Sequence, residues 1–119
     1  MNIEGITWHA VTTEDTGAWR RFANETLGLE PAMEMDGVVV FAMPNGSILE
    51  VYDSGGPALP AFGYNELAYG FRVDDIEQAS REIEAAGYEL LGEINTYGDY
   101  SFRHFRGPDG RVYGLNQQR

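Results

Sequence analysis

The stretch "GPDGRVYGLNQ" (107–117) aligns without gaps on "MPNGSILEVYD" (43–53), Pro108 on Pro44 and Gly110 on Gly46. Pro-Asp-Gly is a turn with a mechanism: proline presets φ, aspartate bonds its own backbone, and glycine accepts positive φ. Each copy then continues as a strand. Upstream of each lies another strand ending in an aromatic, "VVVFA" with Phe41 and "FRHFR" with Phe105. Further upstream each half carries a helix closed by glycine, "AWRRFANETLGL" and "IEQASREIEAAGYEL". A strand running into acidic residues precedes each helix, "ITWHAVTTED" and "LAYGFRVDD". The order strand, helix, strand, strand, strand therefore occurs twice, in module one (1–53) and module two (66–119). Residues 54–65, rich in glycine and proline, read as the linker. Helices that cover sheets with an apolar stripe make an α+β protein.

The helices carry local signals. Trp19, Phe22, Ala23 and Leu27 recur at helical spacing, and Gly28 stands where a left-handed cap is wanted. In the second helix Asp75 and Gln78 resemble a capping box, Ile76, Ala79 and Ile83 form the stripe, and Gly87 ends it. Arg20 and Arg21 are expected to face solvent.

Composition narrows the function classes. A chain of 119 residues is expected to form a single domain with a core that needs no staples. Without cysteine there is neither a disulfide framework nor thiolate metal chemistry. All 8 basic residues are arginine, which removes Schiff-base catalysis and a phosphate-loop lysine. The net charge of −11 disfavours nucleic acid and anionic membranes. There is no membrane-length apolar run and no signal-peptide pattern, so the expected compartment is the cytoplasm.

Gly114 interrupts the last strand. Glycine there marks either a bulge or a place where a side chain must be absent.

In four places the chain resembles the vicinal-oxygen-chelate superfamily of glyoxalases, bleomycin-resistance proteins and extradiol dioxygenases. These are "TLGLEP" (26–31), "FRVDDIEQA" (71–79), "AAGYELLGE" (85–93) and "FRGPDGRVYGLNQ" (105–117). The resemblance implies paired βαβββ modules whose curled antiparallel sheets form a ligand cup, usually in a homodimer. In metal-binding members the first and last strand of each module supply the ligands, and these positions fall here on Trp8, Glu50, Ala68 and Gly114. Of the four only Glu50 offers a donor atom, since an indole N–H donates and cannot ligate. The resemblance therefore points to the metal-free, bleomycin-resistance-like branch and to no cofactor. A register slip would place His9 rather than Trp8 in the cup. His9, Glu50 and His104 would then be three ligands for Zn, Ni, Fe or Mn.

Strand alternation fills out the cup. A type I turn with a glycine bulge pairs Phe105 with Tyr113 and His104 with Gly114, and the same register pairs Val40 with Glu50. Ile48 and Tyr52 flank Glu50, Phe102 and Arg106 flank His104, and Arg72 shares a strand with Ala68. Tyr97 and Tyr100 in "NTYGDY" stand ready to close over the cup. Glu50 and His104 are the candidate acid–base pair. Trp8, Ile48, Tyr52, Arg72, Tyr97, Phe102 and Arg106 complete the expected ligand-binding set. Three functions are compatible with such a cup: a metal-free small-molecule binder taking an aromatic or cationic compound, a lyase, isomerase or dioxygenase, and an interaction module that no longer uses it.

Overall fold

A computed structural model describes all residues, Met1–Arg119. The first half runs β1 (Ile3–Thr13), α1 (Thr16–Arg21, continued by a π-helical turn over Phe22–Thr26), β2 (Pro31–Met35), β3 (Val38–Ala42) and β4 (Ile48–Asp53). The second runs β5 (Leu67–Val73), α2 (Ile76–Ala85), β6 (Leu90–Tyr97), β7 (Tyr100–Arg106) and β8 (Val112–Gln118). This is βαβββ twice, an α+β protein. No helix is long and apolar enough to cross a membrane.

The two aligned turns close with the same bonds. Met43 N–H donates to the Ser47 carbonyl at 2.8 Å and Gly46 N–H to the Met43 carbonyl at 3.0 Å. Gly107 N–H donates to the Arg111 carbonyl at 2.9 Å and Gly110 N–H to the Gly107 carbonyl at 3.0 Å. Gly46 and Gly110 take φ of +85° and +79°, the left-handed position that completes such a loop. The expected registers result: Val40 opposite Glu50, His104 opposite Gly114, and Phe105 opposite Tyr113.

Internal contacts divide the chain into two compact units, His9–Leu67 and Met1–Trp8 with Ala68–Arg119. Strand β1 thus contributes its first part to one and its second part to the other.

In the unit His9–Leu67, β2, β3 and β4 are antiparallel neighbours. Ala23 of the helix packs on Val39, Phe41 and Val51, with Val11, Trp19, Leu29, Met43 and Leu49 around them. The Asp15 carboxylate caps α1 by accepting from Ala18 N–H at 2.9 Å. Arg20 reaches solvent and pairs with Glu34 at 2.7 Å. The helical stripe read from the sequence needs correction. Leu27 N–H bonds the Phe22 carbonyl five residues back, so one extra residue enters the turn and rotates the residues after it. Leu29 joins the core, whereas Leu27 and Phe22 are 51% and 46% exposed.

In the other unit β6, β7 and β8 are antiparallel and β5 joins β8 in parallel. Ile76 and Ala79 of α2 pack on Val73, Phe105 and Leu115, with Ile83 and Tyr113 alongside, as the stripe predicts. The Asp75 carboxylate accepts from Gln78 N–H at 3.0 Å.

The strand register is unbroken across Gly114, which rules out a bulge there. Gly114 stands opposite Gly70 on β5. A Cβ on Gly114 would lie 3.1 Å from Trp8 Cε3, and one on Gly70 would lie 3.0 Å from three backbone atoms of Gly114. The glycine pair lets the two strands and the indole lie against one another. Because backbone yields less than a side chain, Gly70→Ala is expected to destabilise the protein by about 2 kcal/mol and Gly114→Ala by about 1 kcal/mol. Urea denaturation measures both, and the Gly114→Ala cost should shrink in a Trp8→Leu background, where the indole is gone.

Candidate functional site

Three strands of the unit containing Met1–Trp8 and Ala68–Arg119 present the second group of expected site residues. Register fixes two rungs across them. Gly70, Gly114 and His104 form one, and Arg72, Asn116 and Phe102 form the next. Directly opposed residues point to the same face of a sheet, so these six share one surface.

Trp8 fills the space above Gly114 and meets His104 edge to face, with ring centroids 5.3 Å apart. On its other side His104 meets Phe102, again edge to face, at 5.7 Å. Tyr97 stacks on Phe102 at 6.0 Å with the planes only 10° apart, and Tyr100 lies 6.2 Å from Phe102. Tyr97 is 71% exposed and ends the row at the surface. Four of the expected residues, Trp8, His104, Phe102 and Tyr97, therefore form one aromatic ladder.

His104 is 7% exposed. Burial among rings penalises the imidazolium and pulls its pKa down from 6.5 to about 4. At neutral pH it is thus a neutral hydrogen-bonding group and not a half-protonated proton carrier.

Arg106 lies apart from the ladder. Its guanidinium donates from Nη1 to the Gly110 carbonyl at 3.0 Å and sits 3.8 Å from Glu89, so it braces the turn. Arg72 donates from Nε to Asn116 Oδ1 at 3.4 Å, and Thr7 Oγ1 donates to the same oxygen at 3.1 Å. Asn116 was not among the expected residues, although the alternation that selects Gly114 selects it as well.

In the unit His9–Leu67, Ile48, Glu50 and Tyr52 share a face of β4 opposite Ala42, Val40 and Val38. The Tyr52 hydroxyl donates to Glu50 Oε1 at 3.3 Å. Tyr64 lies edge-on to Tyr52 at 5.0 Å, and Phe62 lies 6.3 Å from Tyr64. Burial first, then the charge of Glu50 and the neighbouring Tyr64, holds the Tyr52 proton far above the ordinary tyrosine range. Tyr52 is a permanent donor. Phe62 and Tyr64 come from the segment read as a linker, whose glycines and prolines hid an aromatic that packs back on β4, Tyr64, and a second ring beside it.

The positions at which the resemblance places metal ligands are poor in donor atoms. Trp8, Ala68 and Gly114 offer no ligand atom at three of the four positions given by the resemblance, and the indole occupies the space before Gly114. His9 donates from Nδ1 to the Ile48 carbonyl at 3.3 Å, since a carbonyl can only accept, which leaves its Nε2 as the acceptor nitrogen. Neither unit gathers three His, Asp or Glu side chains that could hold a metal ion. Two other hollows, of about 310 and 370 Å³, lie beside α2 and α1 and are lined largely by charged residues such as Glu77, Arg81, Arg20 and Glu25. They lack the apolar walls typical of small-molecule sites.

Comparison with known proteins agrees with the doubled architecture. The family model described as Glyoxalase/Bleomycin resistance protein/Dioxygenase superfamily matches residues 5–112, and the chain belongs to that superfamily. Among solved structures it is similar to a Mn(II)-bound glyoxalase from Novosphingobium aromaticivorans (TM-score 0.75, 16% identity, covering 97% of this chain and 39% of that one). It is also similar to methylmalonyl-CoA epimerase of Streptomyces coelicolor in complex with 2-nitronate-propionyl-CoA (TM-score 0.68, 17% identity, 98% and 99% covered). A superfamily member from Vibrio splendidus 12B01 aligns with TM-score 0.65 and 18% identity over 97% and 98% of the two chains. At these identities the likeness is one of fold. No curated protein matches the sequence.

The burial of His104 has a measurable consequence. Its folded pKa of about 4 lies below the unfolded 6.5, so the unfolded chain takes the proton first on acidification. Its contribution is complete above pH 6.5 and is lost as pH falls toward 4, by about 3 kcal/mol at most. Denaturation curves of the native chain and of His104→Phe between pH 7 and about 5, above the carboxylate range, should show a slope in the first that is flattened in the second.

Proposed function

We propose that the chain is a metal-free small-molecule binding protein that sequesters an aromatic or cationic organic compound without transforming it. The observation that carries this reading is the row Trp8–His104–Phe102–Tyr97, which begins at Trp8, a position where the resemblance places a metal ligand, and runs past Gly114, another. Aromatic faces bind planar or cationic guests by stacking and cation–π attraction. In the unit His9–Leu67, Ile48, Glu50, Tyr52 and Tyr64 form a separate candidate surface, on which Glu50 would be the counter-charge for a cation. His104, neutral when buried, serves in this reading as a hydrogen-bonding group. The homodimer and the cytoplasmic setting belong to the same proposal, and light scattering of the purified chain tests the first.

A thermal-shift screen of aromatic amines, glycopeptide-like drugs and small diols tests the function, because a ligand of the native state raises its melting temperature by mass action. The expected result is a 1:1 ligand recovered chemically unchanged, whose affinity falls about tenfold or more in Trp8→Leu and Phe102→Leu. Conversion of the ligand to product, or stoichiometric Zn, Ni, Fe or Mn retained through dialysis, would replace this reading with an enzymatic one.

A further inference from the structure

Asn116 is 1% exposed, and its Nδ2 has no hydrogen-bond partner in the protein. Its orientation is determined by its neighbours. The Thr7 hydroxyl and Arg72 Nε both approach Oδ1, and Arg72 Nε can only donate, so the oxygen faces it and the NH₂ group is left over. Leaving a buried amide donor unpaired is costly, and native proteins answer such groups with water or ligand. An apolar β-branched residue would suit this strand position without that cost. Arg72 brings a positive charge to the same rung, and Phe102, the third ring of the ladder, stands directly opposite Asn116.

We propose that the Arg72–Asn116–Phe102 rung is a carboxylate seat, in which Asn116 Nδ2 donates to an oxygen of the ligand beside the Arg72 guanidinium while the ligand's ring packs on Phe102. The bound compound is then an aromatic acid. This rests on the small-molecule reading above and narrows its ligand class. In a chain of net charge −11, general attraction does not draw carboxylates in, so the local cation and the waiting donor confer selectivity over amines and neutral rings.

Calorimetric titration with three compounds of one ring system tests it: 2-naphthoate, 2-naphthalenemethanol and 2-naphthylmethylammonium. The native chain is expected to bind naphthoate about tenfold or more tighter than the alcohol. Asn116→Asp, which keeps the shape but replaces the donor with an acceptor, should abolish that preference, and Arg72→Gln should reduce it. If Asn116→Asp does not fold, a structure of the native chain with naphthoate decides: an oxygen within hydrogen-bond distance of Nδ2 supports the seat, and a water kept there overturns it. Equal or tighter binding of the ammonium or the alcohol sinks the carboxylate seat and leaves the binding function standing. Binding of none of the three overturns the seat and counts against the aromatic binder as well.

Discussion

The close approach at Gly70 and Gly114 is the constraint on which the site depends. Two strands pair there with no Cβ between them, and the indole of Trp8 lies in the space a side chain would claim. The indole in turn buries His104, and a buried imidazole gives up its proton. A missing side chain thus determines the charge of another residue one strand away. Packing and electrostatics meet at this point, since the atoms that exclude water from His104 also form the wall a guest would touch.

The same close contact bears on the position where the resemblance places a ligand on the last strand. A ligating side chain at Gly114 and the present position of Trp8 exclude one another. In the proposed binder, stacking in place of coordination would change what the site selects. A metal polarises oxygens and imposes geometry, whereas rings reward planar area and tolerate variety. Specificity must then come from the few polar groups on the same surface.

Much of the fold was legible because it rests on short-range chemistry. Pro44-Asn45-Gly46 and Pro108-Asp109-Gly110 each determine a turn, the turn determines a register, and the register places Glu50 and His104. Asp75 and the Ile76–Ala79–Ile83 stripe were readable for the same reason. Other features escaped because tertiary context sets them. The π turn after Arg21 obeys no local signal and moves Leu27 out of the core in favour of Leu29. Tyr64 reaches Tyr52 through a segment whose composition announces only a joint. Arg106 shares its strand face with His104, yet its long side chain turns back to the Gly110 carbonyl, a choice alternation does not reveal. The orphaned donor of Asn116 is invisible until its oxygen's partners are known.

Strand β1 also has a consequence for how the chain comes to be folded. The unit His9–Leu67 is continuous in sequence, so all its contacts become available once the first half has been synthesised. The other unit joins residues 1–8 to residues 68–119, and Thr7 must wait for Asn116, 109 positions later. Contacts so distant in sequence form slowly. Until β8 has been made, Thr7 and Trp8 lack the partners that bury them, so this segment stays open to aggregation longer than residues 9–67.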